Sequence, residues 1–376
     1  LNIDDLKAAA KKRLPRGLFE YVERGAEDEV ALANNVAAYG RLKLSPRAFV
    51  DVSSRSTETE LFGRPVPMPI AIAPTGLAGL CWYDGEVLLA RAARKFGLPF
   101  TLSTVSVASL EHVAEKAGGR LWFQLNLWRD RNSSYDLVAR AEAAGYEALM
   151  LTVDNPASPN REYNARNGFM PFRLGPRMAF DLARHPAWLT SVVLRHVMEG
   201  GMPRHMNYPE KYKVSVIKGA GRADDLRGDD MTWDDLVELR RRWSGVLLVK
   251  GIQRAEDARR CAAEGVDGIV VSNHGGRNLD SARAPIDIVP EVVAAVGDRI
   301  TVMVDGGIRR GSDITKALAL GARAVLIGRA TLYGISAAGQ AGAERAIDLL
   351  HSELDRTMGY LGSPRIENID PTLLTR

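Results

Sequence analysis

Two cysteines, Cys81 and Cys261, are all that the 376 residues contain. That is too few for a disulfide framework and points to a reducing compartment, although a single bridge between the two stays open. No apolar run approaches the roughly 18 residues of a membrane span. The opening "LNIDDLKAAAKKRLP" is charged and helical in pattern, without the apolar core of a secretory signal. Low-complexity tracts and short solenoid repeats are also missing. Together these absences exclude a disulfide-stapled secreted module, a spanning membrane protein and a repeat array. They leave a cytoplasmic enzyme or binding protein as the expectation.

Charge of one sign is scarce too. The net charge is only +4, too small an excess to suggest nucleic acid as a partner. The excess is also local. Residues 168–218 hold 8 Lys/Arg against 3 Asp/Glu, so the remainder has 42 basic and 43 acidic residues.

With 46% hydrophobic residues the chain can build a large core. Eight short apolar runs, at 69–73, 99–102, 121–125, 148–153, 246–250, 267–271, 301–305 and 323–327, read as strands buried on both faces. Helical stretches follow most of them, among them "GEVLLARAARKFG", "SLEHVAEKAGG" and "GSDITKALALGA", and several end in glycine. This rhythm predicts an α/β fold, a TIM (β/α)8 barrel, as a single domain over 1–376. A doubly wound open sheet is the alternative. Two segments fall outside the rhythm: an N-terminal helical preface over 1–60 and an insertion over 168–231, after strand four. So long an insertion reads as a lid or a docking segment.

A barrel of this type carries its chemistry at the C-terminal ends of its strands. Each predicted strand ends there in polar or glycine residues. The tips "DGGIRRGSD" and "IGRA" place glycines and Arg309 and Arg329 where barrels often hold phosphate. Lys250 ends strand five and suits an anchor for an electron-rich ring, a Schiff base or a carboxylate partner. In "VSNHGGRNLD", Ser272 and Arg277 flank His274, and Asp154, at another tip, suits an orienting partner for the imidazole.

"SNHGGRNLD", "DGGIRRGSD", "LIGRA", "LTVD" and "VKGI" together resemble the FMN-dependent 2-hydroxy acid oxidase and dehydrogenase family, and the resemblance runs through nearly the whole chain except 168–231. It implies FMN as cofactor, no metal, and oxidation of a small (S)-2-hydroxy acid. It further implies His274 as base, Asp154 as its partner, and Arg277 and Arg161 as the clamp on the substrate carboxylate, with Tyr21 adding a hydrogen bond. Pro74, Thr75, Gly76, Ser103, Gln124 and Thr152 are then flavin-ring contacts, and Lys250 is the cation beside the ring, with Ser272 near it. Asp305 would hold the ribityl chain, and Gly307, Arg309, Gly328 and Arg329 the phosphate.

The sequence departs from the family at Asn126, where a tyrosine is usual, and at Pro159, where glycine is usual. Asn126 implies either a roomier site or altered chemistry, and Val105 also implies room, for a mandelate-like aryl acid or a larger aliphatic acid, with lactate next. Gly76, where oxygen-reactive members tend to carry alanine, implies a quinone as electron acceptor rather than O2 with release of H2O2. Leu189, Val192, Val193 and Val197 suggest an apolar helical face within 180–205, flanked by basic residues, suited to peripheral contact with the inner face of the cell membrane. A homo-tetramer is the expectation from the family.

Overall fold

The computed structural model describes residues 2–170, 172–213, 215–216, 226 and 228–375. Eight parallel strands close into a barrel: β1 (Ile70–Ile72), β2 (Pro99–Ser103), β3 (Arg120–Leu125), β4 (Ala148–Thr152), β5 (Val246–Ile252), β6 (Gly268–Val271), β7 (Thr301–Asp305) and β8 (Ala324–Ile327). Each pairs with the next in sequence, and β8 closes on β1 through Leu326 opposite Ala71. An open doubly wound sheet is thereby ruled out.

The strands read as unbroken apolar runs because both faces are covered. Inward-pointing Trp122, Met150, Leu248, Val270, Met303 and Leu326 fill the interior, while Phe100, Leu102, Phe123, Leu149, Val249 and Ile269 face the surrounding helices. Small residues make room for the large ones: Ala148 lies directly opposite Trp122 across β3 and β4. A hairpin of Thr59–Leu61 and Arg64–Val66 plugs the N-terminal end, bringing Leu61, Val66 and Phe62 onto the interior cluster. Phe62 meets Trp122 edge-on at 5.8 Å.

The preface is helical over Ile3–Arg13, Arg16–Glu23 and Val30–Arg41, but not to residue 60 as expected. Residues 45–58 run without helix or strand, and Lys43–Leu44 pairs with Leu374–Thr375. The two cysteines are both buried and unpaired, so there is no bridge between them.

In the insertion, helix Pro176–Ala183 precedes a second helical run, Pro186–Trp188, Leu189–Leu194 and Arg195–Gly200. Over Leu189–Leu194 the turns widen to π geometry, which lengthens the spacing between residues on one face. The expected apolar face is corrected accordingly. Trp188 and Val192 are buried, Leu189 and Val193 pack partly against the barrel, and Val197 has rotated outward. Among the described residues of the insertion, Leu174, Phe180, Leu194, Val197 and Met198 are the exposed large apolar ones. The inner side grips the segment just after β1: Trp188 Nε1 donates to Leu80 O at 2.7 Å, and His196 Nε2 to Gly79 O at 3.0 Å. No helix among the described residues is long and apolar enough to cross a membrane.

Candidate active site

The C-terminal strand ends, helix Arg16–Glu23 and the insertion enclose a cavity of about 540 Å³. Of the residues expected from sequence, Tyr21, Pro74, Thr75, Gly76, Ser103, Gln124, Asn126, Thr152, Arg161, Lys250, His274, Arg277, Asp305, Gly307, Arg309, Gly328 and Arg329 all line it. Asp154 and Ser272 do not line it; both stand behind residues that do.

His274 sits just past β6 in left-handed backbone (φ 59°), a strained conformation for a residue with a side chain. Its Nδ1 lies 2.9 Å from Asp154 Oδ1, and its amide donates to Ser272 Oγ at 3.0 Å. A carboxylate can only accept, so Nδ1 carries the proton and Nε2 is left with a lone pair. The side chain keeps 31% of its surface open while Asp154 keeps 6%. Burial, with Lys250 and Arg161 nearby, outweighs Asp154 and holds the imidazole below its ordinary range. It is therefore neutral at neutral pH, the state a base needs. Burial pushes the Asp154 carboxyl up, but His274 and Lys250 more than offset this and hold it below the usual carboxylate range.

Close packing at β5 makes this dyad fit. The register between β5 and β6 shifts between Lys250 and Ile252, and Gly251 takes up the slack at φ 108°. A Cβ there would fall 2.7 Å from the Cβ of Asp154, so only glycine lets the carboxylate stand beside the strand.

Lys250 is buried, donates to Ser272 Oγ at 3.0 Å and lies 3.2 Å from Asp305 Oδ2. Burial pulls its ammonium down, but Asp305 and Asp154 prevail and raise it, so the cation is fixed at the cavity wall. Asp305 Oδ1 is buried with no partner among the described residues, an acceptor waiting for a hydroxyl donor.

Arginine is in excess here. Arg277 Nη1 donates to the carbonyls of Tyr21 (2.7 Å) and Arg24 (2.9 Å), and Arg329 Nη1 to that of Gly275 (2.9 Å). Arg161 makes only longer contacts, to Arg277 O (3.2 Å) and Asn278 Oδ1 (3.4 Å). Burial and the neighbouring Arg277 bring both Arg161 and Arg329 down to about 10. The guanidinium groups of Arg161, Arg277, Arg309 and Arg329 all bond to neutral acceptors, and none has a carboxylate partner among the described residues. Such a cluster calls for anions, one planar carboxylate by Arg161 and Arg277 and one phosphate by Arg309 and Arg329. At the second place Gly307 (φ 86°) passes so close to helix Val30–Arg41 that a Cβ would lie 2.0 Å from Asn35 O. The unpartnered Asp305 oxygen, the fixed Lys250 and this arginine pair fit a flavin mononucleotide, with hydroxyls, an electron-rich ring edge and a phosphate in that order.

Asn126 accepts at Oδ1 from Gln124 Nε2 (2.9 Å) and Asn155 Nδ2 (3.0 Å). Its own amide is thereby oriented as a donor. Among the walls that sequence reasoning missed are Trp128, Met170, His205, Tyr208, Leu226 and Met231. Most come from the insertion, where no periodicity marked them.

A family model described as FMN-dependent dehydrogenase matches residues 10–376. The chain is 41% identical over 374 residues to (S)-mandelate dehydrogenase of Pseudomonas putida, covering 99% of this chain and 93% of that protein. It is likewise 41% identical over 379 residues to L-lactate oxidase of Nostoc sp. (strain PCC 7120 / SAG 25.82 / UTEX 2576), covering 100% and 98%. Among solved structures it resembles that of the monotopic membrane protein (S)-mandelate dehydrogenase, with a TM-score of 0.94 at 40% identity, covering 100% of this chain and 98% of the other.

Proposed function

The chain belongs to the FMN-dependent dehydrogenase family and is an FMN-dependent enzyme that oxidises a 2-hydroxy acid; from that premise we propose that it oxidises an (S)-2-hydroxy acid with an aryl side chain and delivers the electrons to a membrane quinone. The observation that carries the substrate reading is the pairing of a neutral His274, held by the Asp154 carboxylate, with two carboxylate-free arginines in one cavity, whose wall also carries Leu127, Trp128, Met170, Tyr208 and Leu226. A mandelate-like acid matches all three parts.

In this reading Arg161 and Arg277 hold the substrate carboxylate, and Tyr21 and Asn126 donate to its oxygens. His274 Nε2 takes the proton from the substrate, and Asp154 stabilises the imidazolium that forms. Bound FMN supplies the two-electron sink. Lys250 would supply positive charge to stabilise the reduced ring. Pro74, Thr75, Gly76, Ser103, Gln124 and Thr152, which line the cavity, would border the ring, and Ser272 accepts from Lys250 and holds it in position. Asn126 is shorter than a tyrosine and leaves room for the aryl group.

Two features support a quinone over O2. The first is Gly76. A Cβ there would meet Tyr21 Oη at 3.4 Å and Val105 Cβ at 3.5 Å, ordinary contacts, so Gly76→Ala fits without disturbing the fold. The variant is expected to keep FMN and to reoxidise several-fold faster in air than the wild type, as followed by stopped-flow absorbance. Equal rates would remove Gly76 from the argument.

The second is the outer face of the insertion. Leu194 is 50% exposed, Val197 47% and Met198 76%, on a helix followed and preceded by basic residues. Burying such side chains in a bilayer interface is favourable by about 1.5–3 kcal/mol each at full burial, and nearby Lys/Arg add attraction to anionic lipid. The triple variant Leu194→Glu, Val197→Glu, Met198→Glu is expected to lose sedimentation with phosphatidylglycerol vesicles while retaining turnover with a soluble dye acceptor. Unchanged sedimentation would reject this face as the docking surface.

The reading as a whole is tested by anaerobic bleaching of the flavin with (S)-mandelate, L-lactate, glycolate and a longer 2-hydroxy acid. Mandelate is expected to bleach fastest, with slow recovery in air and fast recovery on adding a quinone. Fast recovery in air makes the enzyme an oxidase releasing H2O2, and faster bleaching by lactate moves the substrate class.

A further inference from the structure

His205 lines the cavity but takes no part in the chemistry above. Its Nδ1 lies 3.3 Å from Val105 O. A carbonyl can only accept, so Nδ1 carries the proton. Burial holds the imidazole down to about 4, so the ring is neutral at working pH and Nε2 offers a bare lone pair. That nitrogen has no partner among the described residues, nor is it sealed in the core.

The ring is held as a built feature. It stacks on Tyr208 at 4.7 Å and 21°. The loop beneath is tied to the tip of β2: buried Asn207 accepts from Leu110 N (2.9 Å) and donates to Ser106 Oγ (2.8 Å), and Met206 N donates to Ser106 O (3.2 Å). Val105, whose carbonyl His205 meets, packs beside Gly76, its Cβ 3.5 Å from where a Cβ on Gly76 would stand. An acceptor fixed in this way, in a cavity whose wall also carries the apolar Leu127, Trp128 and Leu226, is open to a donor on a ligand. A substrate without a donor leaves that lone pair unmet at the cost of its desolvation.

We propose that His205 is a specificity residue, its Nε2 accepting a hydrogen bond from the far end of the substrate side chain, so that the preferred substrate is an aryl 2-hydroxy acid whose ring bears a hydroxyl. The proposal rests on the aryl hydroxy acid reading and narrows it.

The test is anaerobic stopped-flow flavin reduction of the holoenzyme by (S)-mandelate and its 3-hydroxy, 4-hydroxy, 4-methoxy and 4-methyl derivatives. One hydroxyl isomer is expected to exceed mandelate about tenfold in kcat/KM, the worth of one neutral hydrogen bond. The methoxy and methyl acids, which cannot donate, gain nothing. His205→Leu is expected to bring the hydroxyl-to-unsubstituted ratio to about one, whatever the absolute rates, and His205→Gln, which keeps an acceptor, to retain part of it. Mandelate reducing the wild type as well as either hydroxyl isomer overturns the proposal and leaves the aryl acid reading standing. A ratio that survives His205→Leu overturns it as well. If no acid of the series reduces the flavin, the underlying reading falls and the proposal with it.

Discussion

Replacing His274 with alanine is expected to leave FMN bound and to slow flavin reduction by the hydroxy acid on the order of 10³-fold, within the range a positioned general base contributes. The imidazole touches no part of the proposed phosphate or ribityl site, so the visible spectrum of the oxidised flavin should remain. Reduction within tenfold of the wild type would reject the base assignment. The pH profile carries the sign. Protonation at Nε2 blocks the base, and the burial, Lys250 and Arg161 that hold His274 below its ordinary range move that block to more acid solution. Flavin reduction should therefore rise with pH through an apparent pKa below 6.5 and be flat at neutrality. Asp154→Asn removes the one group that raises the imidazole's affinity for the proton and the acceptor that fixes its tautomer. Its acid limb should shift to still lower pH while the plateau falls by roughly 10²–10⁴-fold. A plateau unchanged by Asp154→Asn would mean that the 2.9 Å contact has no bearing on turnover.

Arg161→Met should separate function from stability. Burial and Arg277 bring the Arg161 guanidinium down to about 10, and its hydrogen bonds of 3.2 and 3.4 Å are long. Its charge is thus poorly compensated until a carboxylate arrives. Methionine fills similar volume without that charge, and removing an uncompensated buried charge tends to stabilise. The substrate-free holoenzyme is expected to melt at the same temperature or about 1–3 °C higher. In contrast, kcat/KM should fall about 10²-fold or more, since charge-assisted bonds to a carboxylate are each worth about 1.5–3 kcal/mol. A substrate-analogue carboxylate should raise the melting temperature of the wild type and not of the variant. A clear drop in melting temperature with kcat/KM intact would make Arg161 a structural residue.

The barrel was legible because its strands are covered on both faces. Runs such as "ALMLTV" and "TVMVD" cannot alternate with polar residues when Met150 and Met303 point inward and Leu149 and Val304 point outward. The candidate site was legible for a related reason: a strand end is where an apolar run stops, so Lys250, His274 and Asp305 stand out by position alone. The plug hairpin was not, since Thr59–Leu61 and Arg64–Val66 are three residues each and carry Pro65. Nor was the inward face of the insertion helix, where the widened turns at Leu189–Leu194 break the spacing on which a helical face is counted. His205 and Tyr208 lie in a loop outside any helix or strand, so no pattern could point to them. What shows them is that the loop is tied, through Asn207, to the tip of β2.

The cavity's walls have two origins. His274, Lys250 and Asp305 come from β5, β6 and β7 and their ends, whereas Met170, His205, Tyr208, Val216, Leu226 and Met231 belong to one continuous stretch of 168–231. Substitutions within that one stretch can therefore reshape the cavity wall while leaving the strand ends that carry His274, Lys250 and Asp305 unchanged.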